Sequence, residues 1–214
     1  MTVLAICLAV ASAAPSPAAP AGEGDDLRLD RPVVCPSDEE TVLQYDDGTA
    51  CWLTWGGLYR GVWFDVTDFE PMEPEDVWGL YMVELWFYHY SSYPWDTASF
   101  YLEVYGGDEG GPADQISQTS VTASHMGPTL VYFDPPLEVP PDFWVLVNTE
   151  MSGCGAPYLF GDNGPNFTGA FHSFTSDDIV VWEPWDMGDF FIRCHGLPVS
   201  SLTETTWGAL KSLF

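Results

Sequence analysis

Basic residues are nearly missing from this chain. It has 5 Lys and Arg residues against 32 Asp and Glu residues, which gives a formal net charge of −27 over 214 residues. Proteins that bind nucleic acid or an anionic membrane surface use Lys and Arg to neutralise phosphates, so both classes are excluded. The acidic excess instead favours cation binding, salty surroundings or solubility through self-repulsion.

Long apolar runs are missing as well. No segment reaches the roughly 18 uninterrupted apolar residues of a membrane span, so we expect none. The apolar run at residues 3–14 ends in small residues, as a secretory signal does. We therefore predict a signal peptide at 1–14, although no Lys or Arg precedes the run; a buried N-terminal strand or helix is the alternative. Residues 15–34, rich in Pro, Ala and acidic residues, are predicted to form a linker in a secreted or cell-surface protein.

Paired Cys-x-x-Cys motifs do not occur, which argues against a structural zinc site. Cys7 would leave with the signal peptide, and four cysteines would remain: Cys35, Cys51, Cys154 and Cys194. An even number of cysteines in an exported chain predicts two disulfides. Three connectivities are open, of which sequence proximity favours Cys35–Cys51 and Cys154–Cys194.

Helical periodicity is absent between about residues 42 and 195, where apolar and other residues instead alternate. Examples are residues 81–88, 100–105, 143–148 and 190–195, and a further strand is predicted at Ile179–Trp182. Turn-forming Gly, Asp and Pro residues, including Pro135-Pro136, punctuate these runs. Roughly ten short strands predict an all-β domain at 35–198, an antiparallel two-sheet β-sandwich for which a jelly roll is the expected arrangement.

Catalytic motifs are missing too: the chain has no Gly-x-Ser-x-Gly elbow and no His-Glu-x-x-His pair. We therefore expect no enzymatic activity. Glu84 and Glu103 stand in mid-strand beside aromatic residues, where a jelly-roll glycosidase would place paired carboxylates. The alternative for each is an acid that keeps an outer strand face soluble.

Aromatic residues, in contrast, are abundant. The 10 Trp residues are more than a core of this size would bury, so we expect some to be exposed. Exposed rings stack on sugar faces in glycan-binding sandwiches. Trp95, Trp182 and Trp185 are the candidate glycan contacts, and the alternative is that they cover the ends of the sandwich or a neighbouring domain. An exposed coplanar strip of Trp rings would favour a binding module over a structural spacer.

Two loops have the composition of calcium sites. Calcium takes about six to eight oxygen ligands from carboxylates, amides and carbonyls. Residues 161–166 and 175–178 are rich in such groups, and the candidate ligands are Asp162, Asn163, Asn166, Asp177 and Asp178. Neither loop matches an EF-hand, and the same composition is also typical of plain turns.

Four stretches carry a family resemblance: residues 45–49 (YDDGT), 100–112 (FYLEVYGGDEGGP), 142–147 (DFWVLV) and 188–192 (GDFFI). With them, residues 42–214 resemble the exported β-sandwich modules of large bacterial secreted or surface proteins. Residues 201–214, within a predicted tail at 199–214, are similar to the segment that enters C-terminal sorting or anchoring domains of the type IX secretion kind.

The resemblance implies location and architecture and assigns no catalytic residue. From the residues and the resemblance together, we expect a non-catalytic accessory or adhesive module with a carbohydrate-binding-like face. Its partner would be a glycan or another extracellular domain. A structural spacer and a glycoside hydrolase with paired carboxylates are the alternatives.

Overall fold

The structure, a computed structural model, describes residues 41–53, 57–69, 77–88, 99–124, 127–152, 156–164 and 171–199. The predicted signal peptide, the linker and residues 200–214 of the predicted tail lie outside this part of the chain. Within it, no helix has the length and apolar character needed to cross a membrane.

The described residues form twelve strands and two short 3₁₀ turns. The strands are β1 (Thr41–Leu43), β2 (Trp52–Leu53), β3 (Tyr59–Asp65), β4 (Trp78–Tyr88), β5 (Ser99–Asp108), β6 (Gly111–Thr122), β7 (Pro128–Val139), β8 (Asp142–Asn148), β9 (Tyr158–Gly161), β10 (Ser173–Ser176), β11 (Glu183–Pro184) and β12 (Ile192–Pro198). The 3₁₀ turns are Val66–Asp68 and Glu150–Ser152.

Two antiparallel sheets pack face to face. The first sheet has the order β1-β12-β4-β9-β2, with β7 also paired to β4, and the second has the order β11-β10-β3-β8-β5-β6. One apolar core lies between them, to which the second sheet contributes Phe64, Leu102 and Val145 and the first contributes Leu85 and Ile192. The predicted all-β two-sheet sandwich is confirmed; the jelly-roll arrangement stays a prediction.

Two local predictions differ from the structure. Pro135 and Pro136 were expected in a turn, but they lie within β7, at an irregularity in its pairing with β4 where neither residue has a paired partner. Proline is tolerated at such a point because no ladder hydrogen bond is lost. Residues 179–182 were expected as a strand, but they form a loop between β10 and β11.

Candidate functional site

The outer face of the second sheet combines polar and aromatic side chains in register. Side chains alternate along a strand, so a residue points outward when the residues before and after it point into the core. Across β3, β8, β5 and β6, the pairing sets these residues in three rows: Tyr59, Asn148, Tyr101 and Ser120; Gly61, Leu146, Glu103 and Gln118; Trp63, Trp144, Tyr105 and Gln115. We call this surface the outer face of the second sheet.

Glu103 is the centre of the polar part of this face. Its side chain is only 2% exposed, and Oε1 accepts hydrogen bonds from Gln118 Nε2 at 2.8 Å and from Asn148 Nδ2 at 2.9 Å. Oε2 accepts a hydrogen bond from the Tyr105 hydroxyl at 3.1 Å. Asn148 Oδ1 in turn accepts from the backbone N–H of Glu150 at 2.9 Å, which fixes the orientation of that amide. The carboxylate therefore holds two amides and a phenol in defined positions.

Trp182 forms an aromatic wall beside this polar centre. Its ring lies 5.1 Å from that of Trp144 and 6.4 Å from that of Tyr59, and Nε1 donates to the carbonyl of Ile179. Gly61 makes the space, because a Cβ there would lie 3.3 Å from the Trp182 ring and 2.4 Å from Leu146. Tyr59 is half-buried between this wall and Asn148.

The loop that carries Trp182 is held by side-chain caps. Ser176 Oγ accepts from the backbone N–H of Ile179, and Asp178 Oδ1 accepts from those of Val180 and Val181. These backbone hydrogen bonds lower the pKa of the Asp178 carboxyl. Ile179 adopts a φ of 65°, a left-handed conformation that a β-branched residue rarely takes and that marks local strain.

The three Trp residues predicted to contact a glycan lie in different parts of the chain. Trp182 lies at the face just described, whereas Trp185 packs against Phe190 at the edge of the central core, 5.6 Å between ring centroids. Trp95 lies outside the described residues. The Trp side chains that the structure describes are buried or half-buried, and they form no exposed coplanar strip. The expectation of exposed Trp rings stays a prediction for the Trp side chains outside the described set.

Two of the calcium candidates, Asp162 and Asp178, accept hydrogen bonds from backbone N–H groups. Asp162 is buried, and its carboxylate accepts from the backbone N–H groups of Asp47 at 2.8 Å and Asp189 at 2.7 Å. Asp178 caps the loop described above; Asn163 and Asp177 are exposed, and Asn166 lies outside the described residues. No group of three or more His, Cys, Asp or Glu residues with metal-binding geometry occurs in the segments that the structure covers. Their calcium-binding role stays an untested prediction.

No disulfide is seen among the described cysteines, and the predicted pairing stays a prediction. Cys51 and Cys194 are free thiols in the structure, and their predicted partners Cys35 and Cys154 lie outside the described residues. Cys194 is fully buried and belongs to the apolar core between the sheets. Burial raises the pKa of this thiol well above its usual value. The described cysteines thus show no disulfide, and Cys194 packs as a core residue.

A buried ion network occupies the outer face of the first sheet. Arg193 donates from Nε and Nη2 to the Asp46 carboxylate at 2.9 and 2.6 Å, and from Nη1 to Glu84 Oε1 at 2.7 Å. Burial alone would raise the pKa of Glu84, but the His195 imidazole 3.7 Å from Oε2, the hydrogen bond that Trp86 Nε1 donates to Oε1 and the charge of Arg193 lower it to about 2. This carboxylate is therefore ionised and committed to the network.

Glu84 and Glu103 lie on opposite sides of the molecule. In β4, Val83 and Leu85 point into the core, and in β5, Leu102 and Val104 do so, which directs each Glu to the outer face of its own sheet. The core separates the two carboxylates, so this pair does not have the facing geometry of a glycosidase.

Sequence reasoning missed part of the site. It noted Glu103 and Trp182 but not Tyr59, Gln118 or Asn148. The signal was present in β8, where Asn148 alternates with the core residues Val145 and Val147 and so shares a face with Trp144. What sequence alone lacked was the strand order, which places β8 between β3 and β5.

Comparisons with known proteins add no relative. No protein-family profile, curated protein or solved structure matches the chain.

Proposed function

We propose that the chain is an exported, non-catalytic binding module that holds a neutral glycan on the outer face of its second sheet. Export rests on the predicted signal peptide and on the resemblance to secreted bacterial modules. The observation that carries the binding role is the Glu103 cluster with Tyr59 and Trp182 beside it. Sugars present both C–H faces, which stack on aromatic rings, and hydroxyl groups, which bond to carboxylates and amides.

Preorganisation supports a ligand at this cluster. The carboxylate of Glu103 fixes the amides of Gln118 and Asn148 before any ligand arrives, so little side-chain entropy would be lost on binding. Gln118 is exposed, and Tyr101 in the neighbouring row is half-buried, which leaves both accessible to a sugar.

Charge selects the class of glycan. The described residues contain two of the chain's five Lys and Arg residues, Arg60 and Arg193, and both are buried. The surface of this part of the chain therefore presents acids without Lys or Arg. A uronic-acid or sulfated polysaccharide would be repelled, because like charges raise the energy of approach. The proposal is accordingly restricted to neutral glycans.

The shape of the face favours a single glycan chain. Flat crystalline polysaccharides are bound by coplanar rings, whereas the rings of Trp144 and Trp182 are tilted by 45° to each other. A structural spacer remains the second candidate, favoured by the fact that both oxygens of Glu103 are already hydrogen-bonded within the protein.

Affinity electrophoresis separates these two candidates. The protein is run through gels that contain β-glucan, α-glucan, mannan, xylan or soluble chitin, and through an alginate gel as the anionic comparison. We expect retardation by at least one neutral glycan and none by alginate. Retardation by no neutral glycan would reject the binding role and leave the spacer.

Two variants locate the binding surface. Gln118→Ala and Tyr101→Ala should each weaken retardation about tenfold, the loss expected for about 1.4 kcal/mol of contact free energy. Thr119→Ala is the matched control, since Thr119 is also exposed on β6 but pairs with the core residue Leu102 and lies on the other face. An equal effect of all three substitutions would contradict the assignment of this face.

A further inference from the structure

Arg60 is fully buried in the sandwich and is only partly hydrogen-bonded. It is 0% exposed, and it alternates along β3 with the outward residues Tyr59 and Gly61, so its side chain enters the interior beside Val62. Nη2 donates to the carbonyl of Gly57 at 3.2 Å. Nε and Nη1 have no hydrogen-bond partner among the described residues.

Arg193, another buried arginine, is fully hydrogen-bonded to carboxylates. All three of its guanidinium nitrogens donate to the carboxylates of Asp46 and Glu84. Arg60 has no carboxylate partner among the described residues, and the ionisable group that acts on it is Tyr158. The contrast is pronounced in a chain with 32 acidic residues.

The charge on Arg60 persists at neutral pH. Burial lowers the pKa of its guanidinium to about 10, and this value still leaves the group protonated at pH 7. A buried cation without a counter-charge and a buried N–H without an acceptor each destabilise the folded state. Water would satisfy the N–H groups but would leave the charge uncompensated.

We propose that the Arg60 guanidinium binds a small monovalent anion of the halide class, with chloride as its ordinary occupant. The anion supplies both the missing acceptor and the missing negative charge. Its small size suits a side chain with no exposed surface. The site is independent of the outer face of the second sheet, because Arg60 points to the opposite side of β3.

The charge distribution makes the site easy to test. The other Lys and Arg residues are Arg193, which two carboxylates neutralise, and Arg28, Arg31 and Lys211, which lie outside the described residues. At a net charge of −27, the rest of the protein repels chloride. Adventitious chloride binding should therefore be weak.

The experiment measures the ³⁵Cl NMR linewidth and the melting temperature of the full chain. Sodium gluconate is replaced by sodium chloride at constant ionic strength, so that general screening does not change. We expect a saturable excess linewidth that bromide reverses, and a rise in melting temperature of at least about 2 °C, because the anion binds only the folded state. A ³⁵Cl linewidth no broader than in sodium chloride without protein, with equal melting temperatures in the two salts, would overturn the proposal and indicate that water satisfies Arg60.

Substitutions assign the effect to Arg60. Arg60→Met should abolish both chloride responses, whereas the matched control Lys211→Gln, which also removes one positive charge, should keep them. Arg60→Lys, which retains a buried cation, is the second variant if Arg60→Met does not fold, and it should shift the chloride concentration at half saturation. Full chloride responses in Arg60→Met, or an unshifted half-saturation concentration in Arg60→Lys, would overturn the assignment.

Discussion

Asp189 is a buried carboxylate in an unfavourable environment. It is 1% exposed; Oδ1 accepts from the Ser173 hydroxyl at 3.0 Å, and Oδ2 is buried with no hydrogen-bond partner among the described residues. Burial, followed by the nearby charges of Asp162 and Asp46, raises the pKa of Asp189 from 3.8 to about 6. Replacement by Asn keeps the shape and the acceptor for Ser173 but removes the charge.

The sign and size of the effect follow from proton linkage. Because the folded state holds the Asp189 proton more tightly than the unfolded state, this group lowers the free energy of unfolding as pH rises from about 4 to about 6. A shift of about two pKa units corresponds to about 3 kcal/mol. Asp189→Asn should therefore raise the free energy of unfolding by roughly 1–3 kcal/mol at pH 8 and by much less at pH 4.

Urea denaturation at pH 4, 6 and 8, followed by Trp fluorescence, measures this difference. Asp186→Asn is the matched control, because it removes one charge from an exposed carboxylate in the same segment and should change stability by no more than about 0.5 kcal/mol. The reasoning would be refuted if Asp189→Asn were less stable than the parent protein at pH 8, or if its gain were the same at every pH.

Three further changes test other parts of the structure. Arg193→Met should lower the free energy of unfolding by about 3–5 kcal/mol in urea denaturation, because it leaves two buried carboxylates unpaired; a neutral effect would contradict the network. Trp185→Ala should cost about 2–4 kcal/mol, whereas Trp185→Phe should cost under about 1.5 kcal/mol because the buried Nε1 has no partner to lose among the described residues. Equal losses would refute this reasoning. Cys194 should resist iodoacetamide in the native protein and react with it in urea without reductant, as peptide mass spectrometry would show. Labelling in the native protein would contradict the burial of Cys194. Absence of labelling in urea would indicate that Cys194 forms the predicted disulfide.

The fold was predictable because the decisive signal is local. Alternation in β4, β5 and β8 predicts strands with one face in a core, and the core residues Val83, Leu102 and Val145 are those that the alternation selects. The loop at 179–182 was not predictable from β-branched residues alone. There, side-chain caps from Ser176 and Asp178 take the backbone N–H groups that a strand would use.

The site was only partly predictable because it depends on which strands are neighbours. Glu103 and Trp182 stand out in the sequence, but Tyr59 and Asn148 join them through pairings between strands distant in the chain. Gln118 joins Glu103 through the register of the β5–β6 hairpin, which contains two irregularities. Without the strand order, the sequence also suggested a catalytic pair of acids. Glu84 and Glu103 have similar sequence surroundings, but the topology directs them to opposite outer faces.

The most direct test of the glycan-binding account is ¹⁵N–¹H NMR mapping with an oligosaccharide of the neutral glycan that gives retardation. We predict saturable shifts at Tyr59, Tyr101, Glu103 and Gln118, with the amide of Arg193 on the first sheet unmoved. Shifts concentrated on the first sheet, or no shift at a concentration that saturates retardation, would contradict the central claim.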